Sequence, residues 1–374
     1  MKKIRVATVF SGIGAIEFAL KRMAINYEVV FACDNGEREI DYNAEEEFKK
    51  IKKLKTIDEK HKYVEELYNS STRKTNFVKK SYLANYDCPE NRFFQDIKLL
   101  DGNDFKNKVE LFVGGSPCQS FSLVGNRGGL EDTRGTLFYE FARLVKEIQP
   151  KVFIYENVRN LLKIDDGKTW NKITEVFDSL GYKYKYAVLN AADYGIPQTR
   201  RRLFVVGFKD DENYKMPPKI KELKFKMKDF LEDNCYIGGF KNDIEGNIKL
   251  SKKKGVSDPK YILTPKLYAY VMKSGTKSFH QTPVINLDIA RTILKTMGNR
   301  HRAGVDNYVS LDGSINLGQV RMLTEREAHR LMGFTDDYNI VVSRSQAYKQ
   351  AGNSIVVDVL MEIVKEILKT GVFE

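Results

Sequence analysis

Apolar and polar positions alternate along the chain in a way that predicts strands and helices in turn. "IRVATVF" (Ile4 to Phe10) is an apolar run of strand length, and "SGIGAIEFALKRM" follows as a glycine turn opening into a helix. "EVVFACD" gives a second strand that ends in an acid, Asp34. Farther on, "KVELFVGG", "KVFIYEN", "YKYAVLNAADYG" and "RRLFVVGF" read as strands. "RGTLFYEFARLVKEI" and "TWNKITEVFDSLGY" read as helices, the second stopped by Gly181. Such alternation predicts a mostly parallel sheet with helices on both faces, an α/β nucleotide-binding fold.

Two segments break the rhythm. In residues 43–91, Phe48, Ile51, Leu54, Val64 and Leu67 fall at helical spacings on a charged background. This predicts a surface helix or helical pair inserted in the domain. Residues 210–320 lose the pattern and become rich in Lys, Tyr and Gly, which predicts a second, smaller, irregular domain. Order returns with "LTEREAHRLMGF", where Thr324 and Glu327 have the spacing of a capping box. "NSIVVDVLMEIVKEIL" predicts one strongly apolar final helix that docks on the large domain. The predicted organisation is 1–209, then 210–320, then a return over 321–374.

Length and charge narrow the picture. The chain has 374 residues, enough for one large domain and a smaller one. Its formal net charge is +12, which points to a polyanionic partner. Residues 209–321 hold 21 Lys and Arg against 13 Asp and Glu, so much of the excess lies in the irregular region. No apolar run approaches the ~20 residues of a membrane helix, and no signal-peptide pattern opens the chain, so a cytoplasmic protein without membrane contact is expected. The four cysteines, Cys33, Cys88, Cys118 and Cys235, include no CxxC pair, and no metal is expected. Cys118 stands out because it follows a buried strand on a loop of Gly and Pro, "GGSPCQSFS", where reactive groups are presented.

The order of short motifs is more specific than any one of them. Phe10-Ser11-Gly12-Ile13-Gly14 comes first, then Asp34, Asp96, Pro117-Cys118-Gln119 and Glu156-Asn157-Val158. Gln198-Thr199-Arg200-Arg201-Arg202, Arg321 to Glu327 and Gln350-Ala351-Gly352-Asn353-Ser354 complete the series. This series resembles the cytosine-5 DNA methyltransferases of bacterial restriction-modification systems. The resemblance covers residues 4–209 and about 318–374, and the variable region between them matches the place of that family's target recognition domain. It implies a Rossmann-like sheet that binds S-adenosylmethionine, and transfer of methyl to carbon 5 of a cytosine flipped out of duplex DNA.

The resemblance also implies roles. Cys118 becomes the nucleophile that adds to carbon 6 of the base, which makes chemical sense because carbon 5 is otherwise a poor nucleophile. Glu156 holds ring nitrogen 3 and the amine. Arg200 and Arg202, on one face of a strand, approach the base and its phosphate. Phe10, Gly12, Gly14, Asp34, Asp96, Ile97, Pro117, Asn353 and Ser354 are implied at the cofactor. Asp34 is expected on the ribose hydroxyls, and Asp96 with Ile97 on the adenine. Gln119, Ser122, Thr292, Arg300 and Arg302 are implied at the DNA.

Four positions depart from the family pattern. Ser116 stands for a proline and Ala15 for a third glycine. Asn35 stands for an aromatic on the adenine, and Val124 for a loop serine entering the DNA gap. A monomer is expected, with a cognate restriction endonuclease acting separately as a further partner. Three alternatives compete with this reading: a tRNA cytosine-5 methyltransferase of the same architecture, whose Cys-Phe-Thr signature is absent, a non-catalytic DNA-binding regulator of another class, and a nucleotide-binding oxidoreductase.

Overall fold

The computed structural model describes residues 3–117, 137–210, 213–220, 222–276, 279–280, 283–299, 301 and 304–374. The first half winds a seven-stranded sheet. β1 (Ile4–Val9), α1 (Ala15–Arg22) and β2 (Tyr27–Cys33) open it, and β3 (Phe93–Phe94) follows three helices, α2 (Ala44–Ile51), α3 (Ile57–Ser71) and α4 (Phe77–Leu83). β4 (Leu111–Gly114), α5 (Leu137–Ile148), β5 (Val152–Val158), α6 (Lys168–Ser179), β6 (Lys183–Asn190) and β7 (Arg201–Phe208) complete it. The spatial order is β3-β2-β1-β4-β5-β7-β6. Neighbours from β3 to β5 pair in parallel, while β7 runs antiparallel to both β5 and β6.

Alternating side chains feed two cores, as the period of a strand requires. Ile4, Val6, Leu111, Val113, Val152 and Ile154 join the layer of α1, whereas Ala7, Val9, Phe112, Phe153 and Tyr155 join the layer of α5 and α6. The strand order reverses between β1 and β4, and in open α/β sheets the crevice at that switch is where ligands bind.

The insertion holds three helices rather than one or two. Asn43, Thr56 and Asn76 cap them, each side chain accepting from a backbone N–H of the first turn. Ile51, Val64 and Tyr68 form a small core with Leu99 beside the sheet edge at β3.

Among the described residues, 210–322 contain three two-stranded pieces and one short α-helix. These are β8 (Phe240–Asn242) with β9 (Ile248–Leu250), α7 (Pro265–Val271), β10 (Gly275–Thr276) with β11 (Phe279–His280), and β12 (Tyr308–Ser310) with β13 (Val320–Met322). Met227, Phe230, Phe240, Val271, Ala290 and Val309 belong to the same apolar cluster as α1 and the C-terminal helix.

Buried arginines bolt the two parts together. The first helix of the return, α8 (Glu325–Arg330), carries Arg330, which donates to the carbonyls of Phe230, Cys235 and Tyr236 and pairs with Asp336 at 2.7 Å. Arg321 pairs with Glu327 at 2.8 Å and Asp233 at 2.6 Å. The predicted capping box of Thr324 and Glu327 is present. The final apolar segment forms one helix, α10 (Val357–Leu368), which packs on α1 as expected; the segment's first residue, Asn353, closes the preceding helix α9 (Arg344–Asn353).

Candidate active site

Four parallel strands deliver their C-terminal ends to one place. After β1 the chain turns through Phe10, Gly12 and Gly14, all with positive φ (53°, 54° and 74°). Ser11 ties this turn to β2, its Oγ accepting from Cys33 N at 2.9 Å. Asp34 follows β2, and its carboxylate accepts from Gly12 N (2.9 Å) and Gly36 N (2.8 Å). Burial pushes its carboxyl above the ordinary range, against the pull of those two N–H donors.

After β4 the chain passes Gly114, Gly115, Ser116 and Pro117. A side chain at Gly115 would press on Glu156, whose backbone O and Oε2 would lie 2.8 and 2.9 Å from its Cβ. Ser116 Oγ meets Tyr155 Oη at 2.7 Å, and Asn157 Nδ2 donates to Ser116 O at 2.9 Å. Ser116, Asn157 and Tyr155 are all buried, so the base of this loop is fixed.

Glu156 lies on β5 facing Arg202 of β7, with Arg202 Nε 3.2 Å from its Oε1. Burial raises the Glu156 carboxyl, opposed by the positive charges of Arg202 and Arg200. The two arginines differ in what they hold. Arg200 is buried and donates to three carbonyls: Ile293 O (2.9 Å), Gly352 O (2.9 Å) and Ser354 O (2.8 Å). Burial brings its pKa down to about 9, with Arg202 adding to the fall and Glu156 opposing it. Its two Nη atoms make these bonds and clamp the 293 loop to the end of α9, while the residue also lines the cavity that holds Glu156 and Arg202. Thr292 likewise donates its hydroxyl to Thr199 O at 2.6 Å, and Ile293 is fully buried, so this pair joins strand to loop.

A cavity of about 300 Å³ gathers Phe10, Gly12, Asp34, Pro117, Glu156, Arg200, Arg202 and Asn353. Ser354 lines a smaller adjoining space of about 40 Å³ with Gly12. Gly14, Asp96 and Ile97 do not reach either space. A Cβ on Gly14 would collide with the ring of Tyr86. The Asp96 carboxylate is turned to the insertion, where Tyr42 and Tyr68 donate to it at 2.5 and 2.7 Å. Ile97 is buried in the α5 layer. Cys118, Gln119, Ser122, Arg300 and Arg302, with Val124, lie outside the described residues.

Sequence reasoning missed several lining residues. Phe77 and Val78 enter from α4, Gln350 and Lys349 from α9, and Glu37 from the loop after Asp34. Glu37 spans the mouth, with Lys349 Nζ at 2.5 Å, Asn353 Nδ2 at 3.3 Å and Lys295 Nζ at 3.7 Å. Asn76, a good N-cap residue just ahead of an apolar pair, was the local signal for α4, but not for where that helix would lie. A larger cleft of about 800 Å³ lies between the β8–β9 hairpin and α10 and contains none of the predicted site residues. Chemistry, not volume, therefore marks the site. Among the described residues no group of three or more His, Cys, Asp or Glu could hold a metal, and no helix is long and apolar enough to cross a membrane.

Residues 68–369 match the family model described as C-5 cytosine-specific DNA methylase. The chain belongs to that family. It is a DNA (cytosine-5)-methyltransferase. The Type II methyltransferase M.SsoII of Shigella sonnei is 34% identical over 312 residues, which cover 79% of this chain and 72% of the relative. The Type II methyltransferase M.HhaI of Haemophilus parahaemolyticus is 33% identical over 262 residues, 69% of this chain and 75% of the relative. Among solved structures, the Dnmt2 methyltransferase of S. pombe superposes with a TM-score of 0.65 over 98% of this chain and 99% of that one. At 18% identity that likeness speaks for the fold alone. For this methylase the Rossmann-like α/β sheet is the expected architecture, and the oxidoreductase and regulator alternatives fall away.

Proposed function

We propose that the 300 Å³ cavity holds S-adenosylmethionine and the extruded cytosine side by side. The observation that carries this reading is the joining of two unlike sets of side chains. Asp34, Phe10 and Phe77 line the cavity together with Glu156 and Arg202, and Pro117, the residue before Cys118 in the sequence, lines it as well. The residues fit the cofactor. A partly exposed carboxylate suits a ribose diol, and the rings of Phe10 and Phe77 offer apolar surface that Asn35 does not. S-adenosylmethionine supplies an electrophilic methyl group.

The protein's own groups then prepare the base. The Cys118 thiolate adds to carbon 6, and the electron pair of the 5,6 double bond becomes available at carbon 5 for bonding to the methyl. Glu156, whose carboxyl burial raises above the ordinary range, gives a proton to ring nitrogen 3 as negative charge develops there. Arg202 holds the Glu156 carboxyl from the other side at 3.2 Å. Return of the nitrogen 3 proton to Glu156, loss of the carbon 5 proton to water and expulsion of the sulfur as thiolate restore the double bond and free the enzyme.

The DNA is duplex, gripped by the basic surface of 210–320, whose phosphate contacts make binding salt-dependent. The Type II names of M.SsoII and M.HhaI support protection of host DNA beside a separate endonuclease. The Orphan methyltransferase M.SPRI of Bacillus phage SPR, 26% identical over 99% of this chain, supports a second reading without one.

The test uses an oligonucleotide carrying 5-fluorocytosine in the methylated sequence, which bisulfite sequencing of DNA from expressing cells identifies. With S-adenosylmethionine present, a stable protein–DNA adduct through Cys118 is expected. Its absence, or its persistence in Cys118→Ser, overturns the assignment.

A further inference from the structure

The insertion ends in α4, and this helix touches each separate segment that builds the cofactor end of the cavity. Asn76, its N-cap, donates from Nδ2 to Asp34 O at 2.8 Å and to Gln95 Oε1 at 2.8 Å. Its Oδ1 accepts from Lys79 N at 2.9 Å and caps the helix. The same oxygen sits where a side chain on Gly36 would fall, so the Asp34–Gly36 turn closes directly on it. Just beyond the helix, Tyr86 Oη lies 2.6 Å from Gly14 O and 2.9 Å from Ile13 O, its proton shared between the two carbonyls. Its ring fills the space beside Gly14. The third segment is the C-terminal one. Ser81 Oγ donates to Gln350 Oε1 and Gln350 Nε2 donates to Phe77 O, both at 2.9 Å.

These partners are buried: Asn76, Ser81, Tyr86 and Gln350 are all at most 7% exposed. Hydrogen bonds in such surroundings set geometry, because the broken state would leave a polar group without water. Two of the three segments are loops after parallel strands, and the third comes from the far end of the sequence. The pairing of β1 with β2, which sets Val9 opposite Cys33, holds the first two side by side, but no strand pairing ties α9 to either of them.

We propose that Asn76 and Tyr86 are positioning residues for the methyl donor, through which the insertion sets the separation of the Gly12–Gly14 turn, the Asp34 loop and α9. Neither touches the reacting atoms. Tyr86 holds the left-handed backbone that leaves Gly12 facing the cavity, and Asn76 holds the loop that carries the Asp34 carboxylate. Phe77 and Val78 line the cavity as a consequence of the same docking. This inference rests on the reading that the cavity takes S-adenosylmethionine.

Three variants separate the two ideas, assayed as full-length enzyme with S-adenosylmethionine and its duplex substrate. Tyr86→Phe removes one hydroxyl and keeps the ring. Asn76→Asp keeps the acceptor that caps α4 and loses the donor to Asp34 O. Asp34→Ala removes the carboxylate itself. The expected result is that both positioning variants raise KM for S-adenosylmethionine about tenfold. KM for DNA and kcat at saturating methyl donor should stay within about twofold. Calorimetric titration with S-adenosylhomocysteine should weaken in parallel. If Asp34→Ala raises KM for the methyl donor and the other two do not, the positioning role is overturned while the cofactor site stands. If kcat and both KM values fail together with the melting temperature, the residues are merely structural and the proposal is likewise overturned. If Asp34→Ala leaves cofactor affinity intact, the cofactor reading and this inference fall together.

Discussion

The two ends of the cavity are built by different means. At the end proposed for the cofactor, hydrogen bonds of backbone and neutral side chains do most of the holding, with the Glu37–Lys349 ion pair at the mouth. Gly12 and Gly36 donate to Asp34, Tyr86 bonds to the carbonyls of the glycine turn, and Gln350 bonds to α4. At the base end, charge does it, with Glu156, Arg202 and Arg200 gathered at one edge of the sheet. The difference follows from the tasks. A cofactor needs a shape that persists through many turnovers, and hydrogen-bonded turns supply it. Base activation needs an acid near the ring, and burial raises the Glu156 carboxyl while Arg202, which opposes that rise, fixes its orientation. Arg200 and Arg202 divide the same way within two residues. Arg200 donates to three backbone carbonyls, whereas Arg202 faces the Glu156 carboxyl.

The contrast can be broken most sharply at Glu156. Glu156→Gln should lower kcat about 10²- to 10³-fold with the affinity for S-adenosylhomocysteine unchanged, in single-turnover methylation beside calorimetry. Comparable loss of cofactor affinity would erase the division between the ends. Next comes the pair of arginines. Arg200→Ala strands three carbonyls in the interior and should cost about 3–5 kcal/mol in denaturant unfolding. Arg202→Ala should reduce methylation with little change in stability. Equal destabilisation by both would contradict their separate roles.

A smaller effect lies under the cofactor turn. Glu17 is fully buried on α1, accepting from Tyr82 Oη at 2.7 Å and lying 3.1 Å from Thr8 Oγ1. Burial pushes its carboxyl up to about 7, against the lowering pull of those hydrogen bonds. Because the folded protein favours the protonated form, stability from this group is fully present below about pH 4.5. It declines as pH rises toward about 7. The change amounts to no more than about 3 kcal/mol. Glu17→Gln should flatten that part of the stability–pH profile, and a profile identical to the parent protein's would refute the protonated carboxyl. The least effect on the contrast itself comes from salt. Raising ionic strength should weaken DNA binding steeply and cofactor binding hardly at all, read by fluorescence anisotropy and calorimetry.

Much of this architecture was legible in the chain. Buried strands announce themselves as apolar runs, and turns that demand positive φ announce themselves as glycine, so β1, β2, β4, β5 and their site loops could be placed from residue types. The capping box at Thr324 was legible because both partners lie within one helical turn. The insertion was legible as helical but not as three helices, since its charged background hides the short breaks. The arrangement of 210–320 was not legible. Its short hairpins bury Phe230 and Phe240 against a core formed by distant segments, and that leaves no local period to read.

What the sequence determined by itself is the chemistry: an ordered set of groups, each carried by the local bend or strand end that suits it. What only the tertiary structure decided is which of them meet. Arg200 and Arg202 are the same residue type two positions apart, yet one is consumed by carbonyls more than 90 residues away in the chain. Asp96 is claimed by two tyrosines of the insertion instead of the cavity, and Phe77 is carried into it. Hydrogen-bond partners and burial are properties of neighbours in space. Residue identity specifies what a group can do, and packing alone specifies what it is near.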